Sequence, residues 1–187
     1  MRTRRQLLFT ATAMLSMATT MRATTLARMS LDQLAASADA VAHVRCDSAK
    51  SQWENGAIWT VTTFHVVESM KGDLPSQVTV RLPGGRVGHL TATVDGTPRF
   101  HVGDEAVVFL ERSRAGGFSV AGWVEGTFRI TRDPRTHHET VTQDSSTFGV
   151  FDPATRAFRT EGIRRMPVEQ FHRRVTDAIA RAQEKTQ

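Results

Sequence analysis

Between Asp39 and Thr131, apolar and polar residues alternate in short runs, and most of the runs end at a glycine turn. The turns are Glu54-Asn55-Gly56, Lys71-Gly72-Asp73, Pro83-Gly84-Gly85, Asp95-Gly96, Gly103-Asp104 and Ala115-Gly116-Gly117. A side-chain period of two is the signature of a strand with one buried face, and glycine next to Asn, Asp or Pro supplies the turn chemistry between strands. This pattern predicts strands near 40–47, 57–69, 76–82, 87–94, 104–112, 117–123 and 126–131. With no helical crossovers among them, consecutive strands must return antiparallel. Closing or stacking such a meander removes or protects its edges, so the expectation is a mainly β domain: an antiparallel barrel, or a small sandwich, over about residues 39–131.

Two helical signals flank this region. Ser30-Leu31-Asp32-Gln33 has the form of a capping box and predicts a short N-terminal helix over 31–38. Pro167 suits a first helical position, and Val168, Phe171, Val175 and Ile179 recur at spacings of three and four. They predict a C-terminal amphipathic helix over 166–185 that packs its stripe on the sheet. A partner-binding or membrane-surface helix would need that stripe free. The polar insertion at 132–164 reads as loops, with a small hairpin from Glu139–Gln143 and Thr147–Phe151. It is either a mobile insertion or an excursion across the barrel.

The chain carries 24 basic and 19 acidic residues, for a formal charge of +5. Four of those basic residues, Arg2, Arg4, Arg5 and Arg22, lie in residues 1–23, leaving 20 against 19 and a net of +1 from residue 24 onward. Residues 1–23 read as an export signal: a basic start, an apolar stretch from Leu7 to Met17, and small residues at Ser16-Met17-Ala18 or ending at Ala23. The stretch is too short and too often interrupted to span a bilayer, so no stable membrane span is expected after cleavage. Thr3-Arg4-Arg5-Gln6-Leu7-Leu8 fits a twin-arginine signal as well as an ordinary secretory one. Residues 24–187 then form a single globular domain in the periplasm or outside the cell. Near-neutral charge and export both argue against nucleic acid as a partner.

Sites with a recognisable chemistry are sparse. Cys46 is the only cysteine, so no internal disulfide can form, and Ala42, Val44 and Cys46 share a strand face that reads as core. The seven histidines (His43, His65, His89, His101, His137, His138 and His172) include no metal-ligand spacing. There is no Gly-x-Ser-x-Gly elbow, and Pro83–Gly88 lacks the Gly-Lys-Ser/Thr ending of a phosphate loop. No catalytic residue, metal or cofactor is therefore assigned. Trp59 and Phe64 place an aromatic on each face of one strand, as expected where a barrel is also covered by a helix. Trp53 lies in a polar turn and is expected to be exposed.

Ala38-Asp39-Ala40-Val41, then Thr62-Thr63-Phe64-His65-Val66 leading into Glu68-Ser69-Met70-Lys71-Gly72, then Phe100-His101-Val102-Gly103-Asp104 before Val107-Val108-Phe109-Leu110, form an ordered set of motifs. This order resembles the netrin-module and metalloproteinase-inhibitor superfamily, and uncharacterised exported bacterial proteins that share the pattern. The resemblance covers residues 38–112 and implies an oligonucleotide-binding-type (OB-like) barrel with flanking helices. The animal inhibitors begin at a cysteine that chelates the protease zinc and are held by disulfides. This chain has neither, so no functional residue is carried over.

Three functions are compatible with these observations: a non-catalytic module that binds an extracellular or periplasmic protein such as a protease, a structural envelope domain, and a hydrolase with a scattered site. The first is the expectation, because binding residues concentrate on loops held by rigid scaffolds. Its candidate residues are Trp53 and Asn55 in one turn and Gly84, Gly85 and Arg86 in another. The sequence does not specify an oligomeric state.

Overall fold

Asn55 and Gly56 both adopt positive φ, 50° and 81°, the geometry of a two-residue hairpin turn that matches strand twist. They join β1 (Ala40–Glu54) to β2 (Ala57–Lys71), each fifteen residues long. The computed structural model describes residues 28–184 apart from 115, 148–149, 153–154 and 160–161. The expected export signal at 1–23 lies outside the described residues. β1 runs well past its expected end at residue 47, because ladder pairing with β2 holds the polar stretch Asp47–Trp53 extended without any apolar alternation.

The chain continues through β3 (Gln77–Pro83), a small hairpin of β4 (Gly85–Val87) and β5 (Leu90–Ala92), then β6 (Glu105–Arg112) and β7 (Phe118–Val120). A 3-10 turn at Trp123–Gly126 precedes β8 (Thr127–Arg132), β9 (Glu139–Gln143) and a second 3-10 turn at Asp144–Thr147. A separate hairpin of β10 (Val150–Asp152) and β11 (Ala157–Arg159) follows, then β12 (Met166–Pro167). The helices are α1 (Leu31–Ser37) and α2 (Val168–Glu184). The protein is thus mainly β, with one large sheet in the order β1-β2-β3-β7-β6-β8-β9-β12 and a further pairing of β1 with β6. Its pairings are antiparallel except for β3 with β7, which meet in parallel at Val80 and Phe118.

The segment 132–164 departs from its expected form. Glu139–Gln143 does not form the expected hairpin with Val150 and Phe151, which pair with β11 instead. It joins β8, with Ile130 opposite Val141 and Phe128 opposite Gln143, and also pairs with β12. Val141 is fully buried under the helices, and burying it there favours sheet extension over a local hairpin.

β6 separates two cores. Ala106, Val108 and Leu110 point into one with Val44, Cys46, Phe64, Val80 and Phe100. Val107 and Phe109 point into the other with Leu34, Phe128, Val141, Phe171, Val175 and Ile179. Burial on both faces explains why Ala106–Leu110 reads as an unbroken apolar run. α1 is capped as expected, with Gln33 N–H donating to Ser30 Oγ (3.2 Å) and Ser30 N–H to Gln33 Oε1 (2.8 Å). The α2 stripe packs through Phe171, whose ring lies 4.8 Å from that of Phe128. The helices do not cover Trp59; that outer face is covered by Arg81, 5.1 Å over the indole and paired with Glu54 at 3.0 Å.

Glu125 is a buried polar joint behind the helix core. Gln143 Nε2 donates to its backbone oxygen (2.7 Å) and to Oε2 (3.0 Å). Burial pushes the Glu125 carboxyl above its ordinary value, and the Met29 backbone N–H, the nearby Arg28 charge and the Gln143 amide offset this only in part. A carboxyl raised in the fold stabilises at pH below its unfolded value, and that contribution is lost as pH rises through the folded value.

Two outcomes follow for stability measurements. Phe171→Asp removes about 1.5–3 kcal/mol of burial and adds an unpaired charge, so its melting temperature falls by several degrees; an unchanged melt contradicts the packed helix. Glu125→Gln matches the parent in acid and melts progressively above it as pH is raised from the ordinary carboxylate value of 4.5 towards 8, read by thermal denaturation across pH.

Candidate functional site

A β-bulge decides where the side chains of β1 point. Cys46 pairs with Phe64, but Ser48 pairs with Thr63, so one extra residue sits in β1 and its facing switches parity. Ala49, Ser51 and Trp53 thereby stand opposite Thr62, Thr60 and Ile58, on the same face as the buried Cys46 and Phe64. The inner surface of the hairpin thus turns from apolar to hydroxyl-bearing as it approaches the Asn55-Gly56 turn.

Over that hydroxyl-bearing surface lie the β4–β5 hairpin and the segment Thr97–His101, enclosing a cleft of about 400 Å³. Its walls include Ser51, Thr60, Thr62, Gly84, Gly85, Arg86, Thr97, Arg99 and Phe100. Thr60 Oγ1 lies 3.0 Å from Ser51 Oγ and donates to the Gly84 carbonyl at 2.7 Å, and Arg86 N–H donates to Ser51 Oγ at 3.2 Å. Gly85 has φ 131°, and a Cβ there would run into Ser51 Oγ and Thr60 Oγ1. Only glycine lets this backbone close down on the strands. Two hydroxyls are left over. Thr62 is fully buried, and neither Thr62 Oγ1 nor Thr97 Oγ1 has a hydrogen-bond partner among the described residues. Buried polar atoms are ordinarily paired, so these two mark a place built for something to accept or donate.

One arginine holds the far wall. Arg129 on β8 donates from Nε to Asp144 (2.9 Å), from Nη1 to Asp104 (2.7 Å) and from Nη2 to the Arg99 carbonyl. Its guanidinium stacks 4.5 Å over Phe100, whose ring packs edge-on against Phe64 at 4.8 Å. Asp104 also accepts from His101 N–H at 2.9 Å, which closes the turn. Burial pushes the Asp144 carboxyl up, outweighing the opposing effect of Arg129. Cys46 is 1% exposed, and burial, with Asp104 and Asp47 nearby, raises its thiol. It is core and unsuited to nucleophilic work.

The sequence-derived candidates divide between two places. Gly84, Gly85 and Arg86 line the cleft. Trp53, 56% exposed, and Asn55 stand at the tip of the β1–β2 hairpin, with Trp53 on the same strand face as Ser51. Ser51, Thr60, Thr62, Thr97 and Arg99 were not singled out. Their only sequence signal is a run of small hydroxyl residues, which strands use freely on solvated faces. The histidines do not gather. His101 lies 3.6 Å from Asp104, His43 3.5 Å from Glu105 and His172 3.1 Å from Glu68, each with its own acid. No group of three or more His, Cys, Asp or Glu among the described residues could hold a metal ion. No described helix is long and apolar enough to cross a membrane. A larger hollow of about 880 Å³ between the helices is lined by groups that pair with each other, such as Arg181 with Asp32 at 2.6 Å.

The structure thus defines a mainly β protein with two helices and a polar cleft walled by a glycine hairpin. Compared with protein-family models, with curated proteins and with solved structures, the chain matches none.

Arg129→Met leaves Asp104 and Asp144 without their shared partner and frees the wall of the cleft. The expected loss is on the order of 3 kcal/mol, at the low end for breaking a buried pair because the side chain keeps 22% exposure. Urea unfolding of the variant against the parent measures it.

Proposed function

We propose that the chain is an exported, non-catalytic binding module on an OB-like barrel, which engages a protein partner in the periplasm or outside the cell. The barrel reading is supported by the strand circuit: β1 pairs with β2, β2 with β3, β3 with β7, β7 with β6, and β6 with β1. The resemblance to netrin modules rests on its sequence motifs, and a protease is one partner of the class it implies. The observation that carries the binding reading is the convergence of three chain-distant segments at one end of the sheet. There Gly85 closes on Ser51 and Thr60, buried Thr62 Oγ1 has no partner among the described residues, and Trp53 stands exposed on the adjoining stretch of the same strand face. A rigid aromatic beside a preformed polar cleft suits an interface anchor. The reading assigns no cofactor, and it includes no nucleic acid.

The purified protein should show no turnover of peptide, ester, glycan or phosphate substrates, with or without zinc. It should capture a protein from the native extracellular or periplasmic fraction. Trp53→Ala should weaken that capture by about tenfold or more, as expected for a truncated anchor, while leaving the melting temperature unchanged. Robust turnover, or capture indifferent to Trp53→Ala, overturns the reading.

A further inference from the structure

We infer that the cleft beneath the β4–β5 hairpin receives a carboxylate from an acidic polypeptide segment, which makes the partner's contact surface acidic. The inference rests on the binding reading above and adds the partner's chemistry. Arg86 and Arg99 line the cleft, and there is no carboxylate among its lining residues. Each guanidinium has only a neutral contact, Arg86 Nε with the Gly88 carbonyl at 3.2 Å and Arg99 Nη2 with Thr93 Oγ1 at 3.2 Å. Neither has an ion-pair partner among the described residues, so both guanidinium charges are free to meet an anion. Of the acids around it, Asp104 is engaged by Arg129 and by His101 N–H, and Asp95 and Asp144 line a separate hollow that shares only Thr97–Arg99 with the cleft.

Charge alone would describe many surfaces. The second observation is the buried pair of unpartnered hydroxyls, Thr62 Oγ1 and Thr97 Oγ1. A hydroxyl can donate to a carboxylate oxygen, and arginine donates to carboxylates in a planar fork. Hydroxyls among the lining residues and two exposed guanidinium groups beside them supply the donors that an anionic group with two oxygens requires. The exposed apolar side chains of Leu90 and Val94, on and just after the β4–β5 hairpin, provide contacts for the flanking residues of a peptide.

Isothermal titration tests the inference, using a short terminally blocked peptide of alternating glutamate and glycine, its glutamine counterpart, and inorganic phosphate. The glutamate peptide should saturate the protein, with the other two about tenfold weaker or worse, and the affinity should fall with salt. Arg86→Gln combined with Arg99→Gln should weaken the peptide about tenfold without changing the melting temperature. Thr62→Val is the sharper variant: it removes an unpaired buried hydroxyl, so it should melt at or above the parent while binding the peptide more weakly. The inference is overturned if the glutamate peptide fails to saturate, if the glutamine peptide or phosphate binds as tightly, or if Thr62→Val binds like the parent. Trp53-dependent capture from the native fraction is a separate measurement that does not use the peptide. Failure of the peptide with capture intact removes this inference alone, and failure of both removes the binding reading.

Discussion

The Arg129 guanidinium ties together three parts of the chain that no ladder joins directly. It reaches from β8 to the second 3-10 turn through Asp144, to the turn before β6 through Asp104, and to the segment before that turn through the Arg99 carbonyl and the Phe100 ring. Each bond places a charge in a partly desolvated setting, where it is strong if satisfied and costly if not. Through Phe100 the same group reaches Phe64 and the core beneath the cleft. The wall formed by Thr97–His101 therefore stands where it does because Arg129 and Phe100 hold it, and the cleft exists because that wall is held.

The cleft is where the protein departs from best packing. Leaving Thr62 Oγ1 buried and unpaired costs about 1–3 kcal/mol in general, and a valine of the same shape would avoid it. Gly85 is likewise a residue of low intrinsic strand preference, kept where any side chain would strike two hydroxyls. Local choices that disfavour stability and gather in one concave place are the pattern expected at functional sites. Elsewhere both cores hold aromatic pairs, and buried polar atoms without a hydrogen-bond partner among the described residues recur at His43, Ser145 and Ser146.

Much of the fold was legible in the sequence. The capping box at Ser30, the Asn55-Gly56 turn, the buried face of Cys46 and the stripe Phe171, Val175 and Ile179 all appear where residue type and spacing put them. Of the site, Gly84, Gly85 and Arg86 were legible because glycine pairs announce close backbone approach. Ser51 opposite them was not, because the bulge between Cys46 and Ser48 reverses which residues of β1 face inward, and Thr60 and Thr62 on β2 carry only the signal of small hydroxyl residues. A period-two reading carried through that point assigns Ser51 to the wrong face.

Local chemistry therefore determined most of the strand positions, the glycine turns and the two helices, since each depends on residues within a few positions of one another. Tertiary structure alone decided that Glu139–Gln143 extends the main sheet, that β6 divides two cores, and that Arg129 anchors a loop some thirty residues away. These are choices among long-range partners, and they are made by how much apolar surface and how many charged groups each arrangement satisfies. A single sequence carries no local record of that comparison, because the competing partners lie far apart along the chain and meet only after it folds.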